Sequence, residues 1–174
     1  MLERLWAGWR SQYVRSVGTA DEALEAGEGS IFTRILRSGL PDEETHVVHR
    51  GERCFAILNA YPYASGHLLV LPYREVAELE QLTHDETQEL WATVTAGVGA
   101  VRAAFAPEGI NVGLNLGRPA GGSVSGHLHV HVVPRWTGDS NFMTAIANTR
   151  TLPEPLAESA ARIREAWPVT PAAS

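Results

Sequence analysis

The stretch GGSVSGHLHVHVVPRW, residues 121–136, constrains the fold more than any other part of the chain. In it His127, His129 and His131 alternate strictly with Leu128, Val130 and Val132. A period of two belongs to a β-strand, whose successive side chains point to opposite faces. The apolar set then packs on a core, and the imidazoles line an open face, about 7 Å from one to the next. Such a strand needs a layer over one face and freedom on the other.

The stretch LTHDETQELWATVTAGVGAVRAAF supplies that layer as the main helix. Thr83 and Glu86 form a capping-box pattern, and Leu90, Trp91, Val94, Val98, Val101 and Phe105 make its buried stripe. THVVHRGERCFAILNAYPYASGHLLVLPY reads as strand, turn, strand, loop and strand, and INVGLNLG as one strand more. IFTRIL is a short helix that stops near Gly39-Leu40-Pro41. PEPLAESAARIREAW opens with proline and spaces Leu156, Ala160, Ile163 and Trp167 as a terminal helix. LERLWAGWRSQYV reads as an amphipathic N-terminal helix, followed by a Gly-rich acidic linker. This order predicts an α+β fold, an antiparallel sheet backed by one long helix with extra N- and C-terminal helices. The expected organisation is a helix and linker over 1–30, a catalytic domain over 31–150, and a C-terminal helix and tail over 151–174 packed on that domain.

Composition bounds the partners. The net charge of −6, with no basic stretch, excludes a general nucleic-acid binder. It leaves room for a small phosphorylated ligand, with Arg118 and Arg135 flanking the histidines. The single cysteine, Cys54, excludes an internal disulfide and a multi-cysteine metal cluster. Apolar runs fall short of a membrane span, and MLERLWAGWR carries charge where a signal peptide needs an apolar core. A cytoplasmic protein with no membrane partner is expected.

Two chemistries compete for three imidazoles on one face. His-x-His on a strand is a common zinc or iron arrangement, but it wants a further ligand, and the closest acid downstream is Asp139. The alternative is nucleophilic attack at phosphorus, in which a neutral imidazole forms a covalent phospho-histidine species. The central histidine suits that role, with a neighbour on each side to hold a proton or contact phosphate. The loop NLGRPAGGSVSG then has a use, since glycines let backbone N–H groups approach an anion and Ser123 adds a hydroxyl.

These residues resemble the histidine-triad (HIT) family, whose signature is His-x-His-x-His followed by two apolar residues, here HLHVHVV. FAILNAYPYASGHLLVLPYREVAELEQLTHDE is similar to a second segment of that family. The resemblance implies the antiparallel HIT-like sheet and a nucleotidyl-histidine intermediate on His129, flanked by His127 and His131. It implies a fourth histidine, His67, near the same phosphate; Asn59 on the ribose; and Ile31, Phe32, Ile35 and Leu58 around the base. It sets phosphate against Asn115, Gly122 and Ser123.

Three details are similar to the bacterial diadenosine tetraphosphate phosphorylases within the family. They are one extra residue between the serine and the first histidine, Trp136 directly after Pro-Arg and placed to stack on an adenine, and the N-terminal LWAGWRSQY. Those enzymes use inorganic phosphate to release the nucleotidyl group, giving ADP and ATP. A dinucleoside polyphosphate hydrolase or nucleoside phosphoramidase is the alternative, and a non-catalytic nucleotide sensor is a third reading. Several relatives carry a zinc-binding Cys-x-x-Cys where this chain has SIFT, so no metal is expected, and His46, His49 and His84 are expected at the surface. The implied cofactors are none bound tightly, with Mg²⁺ riding on the substrate. The implied partners are the nucleotide, inorganic phosphate and a second copy of the chain, with further assembly to a tetramer through the N-terminal helix.

Overall fold

Along one strand Cys54, Ala56 and Leu58 alternate with Phe55 and Ile57, and the two sets enter two different apolar clusters. The computed structural model describes residues 28–120, 124–139 and 154–168. The predicted N-terminal helix lies outside the described residues. Strands β1 (Val47–Arg50), β2 (Cys54–Leu58), β3 (Leu68–Pro72), β4 (Gly109–Leu114) and β5 (Val130–Arg135) form one antiparallel sheet in the order β1-β2-β3-β5-β4. The helices are α1 (Ile31–Arg37), α2 (Asp42–Thr45), α3 (His84–Phe105) and α4 (Leu156–Ala166).

The long helix covers one face, as the sequence predicts. Leu90, Val94 and Val101 of α3 meet Leu68, Val70 and Val130 of the sheet, and Ala160 and Ile163 of α4 extend the same core. Trp91 departs from the expected stripe and is 43% exposed. It follows Leu90 by one residue, which turns it about 100° away from the sheet. On the other face α1 seats Phe32 against Phe55, Ile57, Leu69 and Leu71. That helix is short, so among the described residues the β4–β5 side of this face is left uncovered.

Charges at helix ends explain one element the sequence reading missed. Asp42, Glu43 and Glu44 fill the first turn of α2, where the partial positive charge of a helix start favours them. His46 ends it in the left-handed conformation, with φ 60°. His49, expected at the surface, is instead half-buried and stacks on Trp167 with ring centroids 4.6 Å apart.

The capping box at α3 is present in both directions: Thr83 N–H donates to Glu86 at 2.8 Å and Glu86 N–H to the Thr83 hydroxyl at 3.2 Å. The Arg74 guanidinium donates to both oxygens of the Glu86 carboxylate, at 2.9 and 2.6 Å, and holds this carboxyl down at about 2. Because the folded value lies below the unfolded one, the stabilisation is complete above the ordinary carboxylate range and is lost as pH falls toward 2. Urea denaturation between about pH 5 and pH 3 is expected to cost Glu86→Gln less stability than it costs the unaltered protein.

Candidate active site

The histidine run is only partly a strand. Ladder pairing begins at Val130, and before it the Leu128 N–H donates to the Val76 carbonyl at 2.7 Å. The alternation survives: Leu128 stays in the α3 core, while His127 and His129 turn to the other face. They do not line an open surface as expected. His127 is 0% and His129 8% exposed, covered by the Phe32 ring of α1, 5.7 Å from each imidazole.

Burial forces each ring to find partners, and the partners assign the tautomers. One nitrogen of His127, Nε2, lies 2.8 Å from the Pro72 carbonyl and must carry a proton to donate there. Nδ1 then accepts from the Ser30 hydroxyl at 2.6 Å. His129 Nδ1 lies 2.8 Å from the His127 carbonyl, so the proton of neutral His129 sits on Nδ1. Its Nε2 keeps a lone pair.

His67 and His131 form a second relay. The Tyr63 N–H donates to His67 Nδ1 at 3.0 Å, which leaves the proton of neutral His67 on Nε2. That proton is donated to His131 Nδ1 at 2.9 Å. Neutral His131 therefore holds its own proton on Nε2, and the Asn115 side-chain nitrogen 3.5 Å away stands beside it as a second donor, not as its acceptor. Gly66 makes this possible. Its φ is +79°, and a Cβ there would lie 2.6 Å from the Phe105 ring, so only glycine admits His67 at this point.

Burial first, and then the neighbouring His129, push the His131 imidazole down to about 4. Folding thus favours the neutral ring, and the stability this ring costs in acid appears as pH falls from its unfolded value toward 4. In an NMR titration the His131 ring is expected to change state near pH 4, far below an ordinary imidazole.

The other expected residues are distributed unevenly. Ile31 and Phe32 lie on the site face with Ile35, and Asn59 sits beside His67, 3.3 Å from its Nδ1. Leu58 does not join them. It is buried under α3 on the opposite face, because neighbours along a strand alternate, and Ile57 takes the place beside Phe32. A cleft of about 320 Å³ opens at His131 and runs past Tyr63, Asn111, Asn115, Val133 and Arg135. Arg135 at its far end pairs with Asp139 at 2.6 Å and donates to Asn111 at 3.1 Å. Trp136 directly follows the last residue of β5, and its backbone N–H donates to Asp139 at 3.1 Å. Gly122 and Ser123 lie outside the described residues, and Arg118 stands exposed on a short 3₁₀ turn.

Sequence reasoning missed Ser30, Tyr63 and the Pro72 carbonyl. Ser30 carried one signal, as the N-cap of α1, but nothing in the sequence tied it to a histidine 97 residues away.

The HIT domain model matches residues 41–138. This chain belongs to the HIT family. An AP-4-A phosphorylase of Mycobacterium tuberculosis is 44% identical over 167 residues, 95% of this chain and 85% of that protein. A bis(5'-nucleosyl)-tetraphosphatase (asymmetrical) of Schizosaccharomyces pombe is 34% identical over 95 residues, 55% of this chain and 52% of its own length. Among solved structures, a zinc-bound histidine triad family protein from Mycobacterium smegmatis superposes with a TM-score of 0.64 at 27% identity, covering 79% of this chain and 92% of that one.

Zinc does not fit the HIT site of this chain at SIFT. The Ser30 and Thr33 side chains are neutral hydroxyls where structural zinc takes thiolates and imidazoles, and His127 beside them has both nitrogens engaged. Among the described residues no group of three or more His, Cys, Asp or Glu is arranged to hold a metal ion.

Proposed function

We propose that this HIT protein cleaves diadenosine tetraphosphate in two displacements through a nucleotidyl-histidine on His129, with inorganic phosphate as the second nucleophile. The observation that carries the reading is the tautomer of His129. Its Nδ1 proton is spent on the His127 carbonyl, and its Nε2 lone pair is available for attack. Phosphate rather than water as acceptor is supported by the 44% identity to the Mycobacterium tuberculosis AP-4-A phosphorylase across 95% of the chain.

In the first displacement Nε2 forms a bond to the α-phosphorus, and the bond to the bridging oxygen breaks. The electron pair leaves with the polyphosphate, which departs as ATP. The ring becomes cationic, and the His127 carbonyl on Nδ1–H stabilises that charge. His131 offers its Nε2 proton to a phosphate oxygen, and Asn115 with the Gly122–Ser123 loop donates to others. In the second displacement a phosphate oxygen attacks the same phosphorus, the P–N bond breaks, and ADP leaves with His129 neutral again. Phe32, Ile31 and Ile57 hold the base, and Asn59 faces the ribose. Magnesium arrives as part of the polyphosphate substrate, and cytoplasm is the compartment where both substrates meet.

β4 is an edge strand whose residues are largely exposed, Val112 at 44%. An edge of this kind is a template for a second strand, which supports a homodimer.

Rapid quench with radiolabelled dinucleotide tests the chemistry. One acid-labile nucleotidyl group per chain, mapped to His129 by mass spectrometry, is the expected result. A full turnover with no label on the protein would mean direct displacement. The hydrolase reading is favoured by the segments shared with the Schizosaccharomyces pombe tetraphosphatase and with a bis(5'-adenosyl)-triphosphatase of Dictyostelium discoideum, and product analysis separates it from phosphorolysis.

A further inference from the structure

We propose that Ser30 is a positioning residue for the nucleophile: its hydroxyl seats the His127 ring, and the His127 carbonyl in turn aims the His129 lone pair. This rests on the reading of His129 as nucleophile.

His127 is fully buried and bridges two elements far apart in sequence. Its Nε2 proton goes to Pro72 at the end of β3, and its Nδ1 receives the Ser30 proton at the start of α1. With both nitrogens engaged, the ring cannot turn or change tautomer without leaving a buried polar atom unpaired. The same residue supplies the carbonyl that takes the His129 Nδ1 proton at 2.8 Å. Ring, backbone and nucleophile are therefore one hydrogen-bonded unit.

Ser30 is held firmly enough to act in this way. Its backbone N–H donates to the Glu75 carboxylate at 2.8 Å, and its hydroxyl oxygen accepts the Thr33 N–H at 3.3 Å. Glu75 also accepts from the Thr33 side chain. Thr33 Oγ1 lies 3.4 Å from the Ser30 hydroxyl and His127 Nδ1 only 2.6 Å, so the single hydroxyl proton goes to the shorter contact, His127. The hydroxyls at SIFT, unsuited to zinc, thus have a different use.

In-line attack is sensitive to small displacements, and a misplacement of about 1 Å costs on the order of a hundredfold in rate. Ser30→Ala is expected to slow formation of the nucleotidyl-histidine by about tenfold to a hundredfold with KM within about twofold. Ser30→Gly separates this from helix capping, because glycine is tolerated at an N-cap yet has no hydroxyl. Ser30→Thr restores the donor.

The test combines single-turnover rates with NMR exchange of the ring N–H protons of His127 and His129 in ligand-free protein. The inference expects Ala and Gly variants to be equally slow, both ring protons to exchange at least about tenfold faster, and Thr to restore both. A Gly variant that matches the unaltered protein would overturn it, since the hydroxyl would then only cap α1. Rates that fall only in step with a lower melting temperature and a higher KM would overturn it too. If the unaltered protein forms no nucleotidyl-histidine, the functional reading fails by itself, and ring-proton exchange still decides whether Ser30 seats these rings.

Discussion

His129→Asn is expected to lower kcat by at least about a thousandfold while the protein stays folded and still binds nucleotide. The imidazole supplies the atom that bonds to phosphorus, and no neighbour can replace it. His127 is fully buried with both nitrogens engaged, and His131 holds a proton on the nitrogen that faces Asn115. Asparagine keeps a donor that can reach the His127 carbonyl, so the backbone around the site has no reason to move. The base contact survives, because Phe32, Phe55, Ile57 and Leu71 form a cluster of their own. Steady-state rates with calorimetric binding of AMP separate the two effects. Turnover within tenfold of the unaltered protein would remove His129 from the reaction, whereas negligible turnover by the unaltered protein, with nucleotide binding unchanged in the variant, would favour a sensor over an enzyme.

Phe55→Ala is expected to cost about 3–5 kcal/mol of folding stability. Phe55 is 0% exposed in β2, at the centre of the cluster that carries Phe32, and its ring stacks on Tyr73 with centroids 5.2 Å apart. Removing it deletes apolar burial and leaves a cavity that a paired strand cannot collapse to fill. The cavity lies under the base-binding wall, so KM for nucleotide rises as well. Leu40→Ala, at an exposed position between α1 and α2, is the comparison, with an expected change of less than about 0.5 kcal/mol. Urea denaturation of both variants checks the contrast.

Why some of this was legible in the sequence follows from the range of the interactions. The capping box of α3 joins residues three apart, and the alternation in β2 and around His131 depends only on neighbours. Such patterns fix an element and its faces together. Leu58 shows the limit: a one-residue difference exchanged it with Ile57, since faces swap at every step of a strand. The burial of His127 was not legible, because its partners come from the start of α1 and the end of β3. The sequence placed three imidazoles on one side. Which nitrogen of His129 is free follows from the His127 carbonyl beside its Nδ1, a backbone contact that the alternation of residues does not show.

Chromatographic analysis of the products from diadenosine tetraphosphate and Mg²⁺, with and without inorganic phosphate, tests the central claim most directly. The account predicts ADP and ATP in equal amounts, and only when phosphate is present. AMP and ATP formed at the same rate with or without phosphate would contradict it and make this HIT protein a hydrolase.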